Sequence, residues 1–253
     1  MRLAIAFGLL GLTMIVLAMR LASHSSGAWC LVVGIEAYLA ACFLSLAGVY
    51  ASREAGVDVE GILAGSGLGL LLRVILLPYL GVGVIALFAD RMFGRKGPFQ
   101  AVAPSLYVGR LPFLDERGRL KDAGIDAVLN LCCEFPRLSG IQADPRFETA
   151  LVPILDGSPP TDAQLSDALD TLERWHAAGR CTLIHCAQGH GRTSTIAAAA
   201  LIRLGIARTV AEALEMLAAT RPGARPSASQ RAALVAYVSR MSGCGGGEGH
   251  DRE

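Results

Sequence analysis

The sequence predicts two architectures in one chain: apolar helices that cross a membrane, then a three-layer α/β domain with a central sheet flanked by helices. Three observations carry this expectation. Long, nearly uncharged stretches are confined to the first 90 or so positions of the 253. From about Gly97, short β-rich runs alternate with amphipathic helical segments, the pattern of a helix-covered sheet. One of those runs, Cys181 to His185, leads through a glycine-bearing loop into an Ala-rich helix.

The chain is 53% hydrophobic and 18% charged, with a mean hydropathy of +0.46. A typical soluble domain is about 25% charged. The first apolar stretch runs from Leu3 to Met19, the second from Ala28 to Ala51, and the third from Gly61 to Ala89. A helix needs about 20 apolar residues to cross the hydrocarbon layer. The first is near the short limit and the second fits well. The third carries Arg73 and Pro78, so it reads as one tilted or kinked span, or as an interfacial segment followed by a short span. A cleaved leader is the alternative for the first stretch. Two further apolar stretches and the lack of a small-residue cleavage site favour retention.

Positive charge prefers the cytoplasmic side. Three spans place Arg20 together with Arg91, Arg95 and Lys96 on that side, and with them the rest of the chain. Glu36 and Arg73 are costly within apolar stretches. Either they form a functional intramembrane site, or each sits near an interface or against another helix, which is the preferred reading.

The expected organisation is a membrane region over residues 1–96, a catalytic domain over 97–242 and a disordered tail over 243–253. Within the domain, Ser105 to Leu111 reads as a strand and turn. Leu120 to Ala123 reads as a short helix stopped near Gly124. Ala127 to Leu131 and Ala150 to Leu155 read as buried strands. Leu165, Leu169, Leu172 and Trp175 recur at helical spacing, with Thr161 as cap and Gly179 as stop. Helices follow over Thr193 to Leu204, Val210 to Ala219 and Ala228 to Met241. In the tail, Cys244 and His250 read as solvated residues rather than metal ligands.

The net charge is +1 and no basic stripe is present, which argues against a nucleic-acid partner. The seven cysteines are odd in number, and they form neither a C-x-x-C pair nor a zinc-finger spacing. A reducing compartment fits them better than a disulfide scaffold.

The chemistry concentrates in His185-Cys186-Ala187-Gln188-Gly189-His190-Gly191-Arg192-Thr193. Five residues separate the cysteine from the arginine, and glycines permit close backbone approach. Amides gathered in such a loop, with a helix N-terminus behind them, bind a tetrahedral oxyanion. The planar fork of Arg192 clamps two of its oxygens. The same positive field stabilises a thiolate at Cys186, which becomes a nucleophile under the bound phosphoryl group.

This segment resembles H-C-x-x-G-x-x-R-[ST], the signature of the cysteine-dependent protein tyrosine phosphatase superfamily. The opening S-L-Y-V-G-R-L and the strand Val128 to Leu131 resemble those of its dual-specificity members. The resemblance implies that Cys186 forms a cysteinyl-phosphate. Arg192 would bind the phosphoryl oxygens, and Thr193 would offer its hydroxyl to the sulfur. His185 would hold the loop, and backbone amides from Ala187 through Gln188, Gly189, His190 and Gly191 to Arg192 would complete the cradle. It further implies an aspartate general acid about 30 residues before the cysteine. Asp156 stands 30 positions before Cys186, followed by Gly157, Pro159 and Pro160. Asp162 is the second candidate, but it reads as a first-turn helix acid.

Other residues carry two readings each. Cys132 or Cys133 either pairs reversibly with Cys186 or is simply buried, the preferred reading. Arg221 and Arg225 either line the substrate pocket or occupy a solvated turn. His190 either contacts substrate or solvent, and Trp175 reads as core. The implied reaction is metal-free hydrolysis of a phosphate monoester, with no cofactor. The substrate is a phosphorylated protein or, given the membrane spans, a phospholipid. Gln188 and His190 stand where phosphoinositide-directed relatives often carry lysines, which argues weakly against polyanionic headgroups. A non-catalytic phospho-binding module would usually lack the cysteine or the arginine. A rhodanese-like or arsenate-reducing enzyme is disfavoured by the Arg-Thr pair and Asp156.

Overall fold

A computed structural model describes residues 1–22, 29–65, 67–93, 97–137 and 140–244. The predicted Arg95, Lys96 and His250 lie outside them, as does the tail beyond residue 244. The chain forms two compact units, Met1–Phe88 and Ala89–Glu253.

In the first unit, α1 (Arg2–Ala22) and α2 (Trp29–Glu54) are both long and apolar enough to cross a membrane. They pack along small residues. A side chain at Gly11 would meet Leu44 Cγ at 2.8 Å, so glycine is what lets the two backbones close there. Phe7 stacks on Phe43 and Tyr50, with ring centroids 6.2 and 5.7 Å away. The other faces expose Ile5, Leu9, Leu12, Val16, Leu31 and Ile35. In water that surface would be unfavourable; in hydrocarbon it costs nothing.

The third apolar stretch is not one straight element. It divides into α3 (Val59–Ala64), α4 (Leu68–Ile75) and α5 (Leu77–Phe93), the last two bent by 74°. The bend lies where Pro78, having no N–H, cannot bond the carbonyl of Val74. Tyr38 of α2 donates its hydroxyl to that carbonyl at 2.6 Å. The pair counts as a third candidate span only if the bent helices cross together. Arg73 spends its guanidinium on the C-terminal end of α3, donating to Leu63 O and Gly65 O. This agrees with the reading of Arg73 as a charge facing another helix. Glu36 is half-buried and its Oε2 lacks a hydrogen-bond partner.

The second unit is built on a five-stranded mixed sheet, ordered β1-β2-β5-β3-β4. Its strands are β1 (Phe99–Ala103), β2 (Leu106–Arg110), β3 (Ala127–Cys132), β4 (Glu148–Ile154) and β5 (Thr182–Cys186). β1 and β2 are antiparallel and the remaining pairs are parallel. Every residue of β3 and β5 is buried, as expected of central parallel strands covered on both faces. α6 (Arg117–Asp122) covers one face, where Leu120 joins Ile125, Val128, Ile141, Phe147 and Leu183. Alternation turns Leu129 and Ile184 to the other face. There α7 (Asp162–Ala177) packs on β4 and α8 (Gly191–Arg203) on β5. α9 (Val210–Thr220) and α10 (Ala228–Cys244) pack around α8.

The predicted strands and helices are found within a few residues of their expected ends. Thr161 caps α7 in a reciprocal pair with Gln164, and Gly179 takes φ +70° beyond its end. β1 was not anticipated. It is an edge strand with only Val102 buried, and so has little periodic signal.

Candidate active site

β5 ends at Cys186, which is 4% exposed, and α8 begins at Gly191. Between them the chain turns through Gly189, whose φ of +71° favours glycine. A side chain there would lie 2.3 Å from Gly109 O, so the loop presses directly on β2. The loop carbonyls are tied to their surroundings. Ala187 O accepts from Leu111 N at 3.0 Å, and Gln188 O from Arg221 Nη2 at 3.1 Å. His190 O accepts from Ser194 N at 3.0 Å, and Gly191 O from Thr195 Oγ1 at 2.8 Å. In a trans peptide the following N–H points the opposite way. The amides of Gln188, Gly189, Gly191 and Arg192 therefore face away from these anchors. An anion-binding nest at a helix N-terminus requires amides turned away from the carbonyl anchors in this way.

Arg192 is buried and held from three directions. Its Nη1 and Nη2 donate to the Glu134 carboxylate at 2.8 and 2.5 Å. Nη1 also reaches Ile154 O at 2.9 Å, and Nη2 lies 3.0 Å from Asp156 Oδ1. The fork expected to hold an anion is thus engaged by carboxylates, while Nε has no protein partner. Glu134 was missed in the sequence. Its only local signal is an acid two positions after the end of a buried strand. The turn that presents it is shaped by buried Asn130, which accepts from Cys132 N at 2.8 Å and donates to Phe135 O and Pro136 O.

Asp156 follows β4 and its side chain remains 56% exposed. Its loop is fixed by Ser158 N to Leu155 O at 3.1 Å and by a buried amide, Gln230. Gln230 Nε2 donates to Ser158 O at 3.0 Å, and its Oε1 accepts from Ser227 N at 2.9 Å. That Oε1 would stand 2.6 Å from a side chain at Gly191, so one amide touches both the Asp156 loop and the start of α8. Asp162 is exposed in the first turn of α7 and pairs with Arg240 at 2.5 Å.

His185 is fully buried beside the loop, with Nδ1 3.3 Å from Cys186 O. Burial, aided by the Arg192 charge and opposed by the bond to Cys186 O, pushes its pKa down to about 4. The ring is therefore neutral near pH 7. Thr193 is buried with a hydroxyl that has no partner, so the expected bond to the Cys186 sulfur is not formed in this structure. Gln188 is exposed, and His190 is half-buried.

Cys132 and Cys133 are buried and not joined in a disulfide; Cys133 Sγ donates to Glu134 Oε2 at 3.5 Å, and burial pushes the Cys132 thiol well up. Trp175 is core, donating Nε1 to Glu148 Oε1 at 2.7 Å. Of the two arginines assigned to a turn or pocket, Arg225 is exposed but Arg221 is buried against the loop.

Comparison with known proteins agrees with this geometry. Residues 110–242 match the family described as PTP-SAK, Swiss Army Knife protein, DSP-PTPase phosphatase domain. Dual specificity protein phosphatase 14 of Homo sapiens is 30% identical over 164 residues, covering 62% of this chain and 78% of that protein. The Arabidopsis thaliana phosphatidylglycerophosphate phosphatase PTPMT2 is 29% identical over 139 residues, covering 54% of this chain and 60% of that protein. Among solved structures, the active form of Tk-PTP superposes with a TM-score of 0.52 at 27% identity, covering 56% of this chain and 97% of that one. The matched segment takes in the Cys186 loop, the helix behind it and the sheet that carries both, and on that footing the chain belongs to the DSP-PTPase family of cysteine-based phosphatases.

Proposed function

We propose that the protein is a membrane-anchored phosphatase that hydrolyses phosphate monoesters, principally phosphotyrosine and also phosphoserine or phosphothreonine in proteins. The observation that carries this reading is the loop from Cys186 to Arg192, whose carbonyls are tied outward and whose amides face the other way.

In the first step the Cys186 thiolate attacks phosphorus. The P–O bond to the leaving group breaks, and Asp156 gives that oxygen its proton. Loop amides and Arg192 take the charge on the three equatorial oxygens. Arg192 presents Nε and keeps its orientation through Glu134. As the phosphoryl oxygens arrive, Asp156 leaves Arg192 and takes up a proton from water, and the resulting carboxylic acid is the form that protonates the leaving group. In the second step Asp156 accepts a proton from water, which attacks the cysteinyl-phosphate and releases phosphate and the thiolate. Thr193 hydrogen-bonds the departing sulfur once its hydroxyl rotates, and neutral His185 supports the loop from beneath.

A lipid monoester is the second reading. It is favoured by α1 and α2, which would hold the domain beside headgroups, and by the similarity to PTPMT2. The charge pattern flanking the apolar stretches supports a cytoplasmic catalytic domain. Full-length protein in detergent micelles, assayed on phosphotyrosine peptides and on phosphatidylglycerophosphate side by side, tests the assignment. Turnover of the peptide at least tenfold above the lipid supports the first reading, and the reverse ratio supports the second. Loss of activity in EDTA contradicts the metal-free mechanism.

A further inference from the structure

Among the described residues of the second unit, three arginines are buried: Arg110, Arg192 and Arg221. A buried charge is expensive unless it is paired. Arg110 meets Glu116 through two bonds of 2.9 and 2.7 Å and lies 3.4 Å from Asp90. Arg192 faces two carboxylates, Glu134 and Asp156. Arg221 is different. It is 1% exposed, its hydrogen bonds among the described residues go to neutral groups, Gly97 O, Gln100 Oε1 and Gln188 O, and the acid that acts on it from further off, Asp90, is shared with Arg110. Its Nε has no partner.

Gln188 O belongs to the Cys186 loop, so a guanidinium with no acid among its hydrogen-bond partners is tied to the loop itself. Carbonyl dipoles solvate a cation but leave its net charge in place. Once Asp156 has moved away, Arg192 still shares its charge with Glu134, so part of it is offset when a dianion arrives. A doubly charged phosphoryl group placed over the loop therefore also meets the field of Arg221, which reaches Cys186 and whose acidic neighbour Asp90 is shared with Arg110.

We propose that Arg221 is a positioning residue and the second cation of the oxyanion site. Through Gln188 O it holds the loop open, and its charge selects dianionic phosphate monoesters. This rests on the reading of the Cys186 loop as the phosphate site. Arg225, four positions on, is exposed and takes no part.

The test uses full-length protein in detergent micelles, with inorganic phosphate and orthovanadate as probes. Arg221→Met and Arg221→Gln are expected to weaken phosphate binding about tenfold, the scale of one lost charge interaction. Arg221→Lys, which keeps the charge, is expected to bind within about threefold of wild type. A merely structural role predicts instead that all three variants lose thermal stability and affinity together. The proposal is overturned if the methionine and glutamine variants bind phosphate as wild type does, or if lysine is as weak as methionine. Cys186→Ser separates the underlying reading. Residual turnover in that variant removes the phosphatase mechanism, whereas an inactive Cys186→Ser beside a normal Arg221→Met removes only this inference.

Discussion

Helices α1 and α8 are both rich in apolar residues, yet they bury opposite things. α1 turns Leu9, Leu12 and Val16 outward, and it buries only Gly11 and Ala18. α8 buries ten consecutive residues from Arg192 to Leu201, four of them polar or charged. A helix whose large side chains face out while small ones pack is shaped for hydrocarbon. A helix that buries Arg192, Thr193, Ser194 and Thr195 at its start is shaped to hold a functional group inside a water-soluble domain. The same contrast separates two arginines. Arg73 satisfies itself on the end of a neighbouring helix. Arg192 is fixed between carboxylates from the ends of two strand segments. A charge that caps backbone stabilises locally, while one clamped by distant acids is aimed.

The largest expected effect falls on the aimed residues. Cys186→Ser is expected to lower kcat by about 10^5-fold or more while phosphate binding persists. Glu134→Gln leaves Arg192 with a weaker clamp and is expected to cost about 10- to 100-fold in kcat, with a smaller change in KM. If kcat is unchanged, Arg192 does not depend on Glu134 for its orientation.

Asp156→Ala is expected to cost about 10^2- to 10^3-fold on alkyl or poor aryl leaving groups. The loss on an activated aryl phosphate should be smaller. Equal losses on both reject Asp156 as the acid.

His185 links the site to stability. Its folded pKa of about 4 lies below the ordinary histidine value of 6.5. The stabilisation from keeping it neutral is fully present above pH 6.5 and is lost as pH falls toward 4. Over that window the fold should lose about 3 kcal/mol, from 1.36 kcal/mol per unit. Urea unfolding of wild type and His185→Asn at pH 7 and pH 4.5 measures it. The variant should show the shallower dependence, and parallel curves contradict the assignment.

The smallest effect lies in the other region. Gly11→Val puts a branched side chain against Leu44 and should weaken α1–α2 packing by about 1–2 kcal/mol without changing kcat of micelle-bound enzyme. A comparable loss of kcat would show that the site depends on this helix pair.

The Cys186 loop, the central strands and α7 were legible because their determinants are local. The Cys186 signature is contiguous, β3 and β5 are short buried runs, and the Thr161 cap lies three positions from its partner Gln164. What escaped the sequence depends on distant meetings. Glu134 matters because Arg192 arrives 58 positions later. Arg221 looked like part of a polar turn, and only the fold brings it under Gln188 O. The break after Ile75 was foreshadowed by Pro78, but the Tyr38 hydroxyl that supports it comes from another helix.

The most direct measurement is rapid-quench trapping of a covalent intermediate. Full-length Asp156→Ala protein, which still opens an activated aryl phosphate but lacks the base for the second step, is mixed with that substrate, quenched in acid and mapped by peptide mass spectrometry. A phosphoryl group on the sulfur of Cys186, absent from Cys186→Ser, is the predicted result. Turnover with the label on another side chain, or a burst of leaving group with no phosphorylated Cys186, would contradict the account.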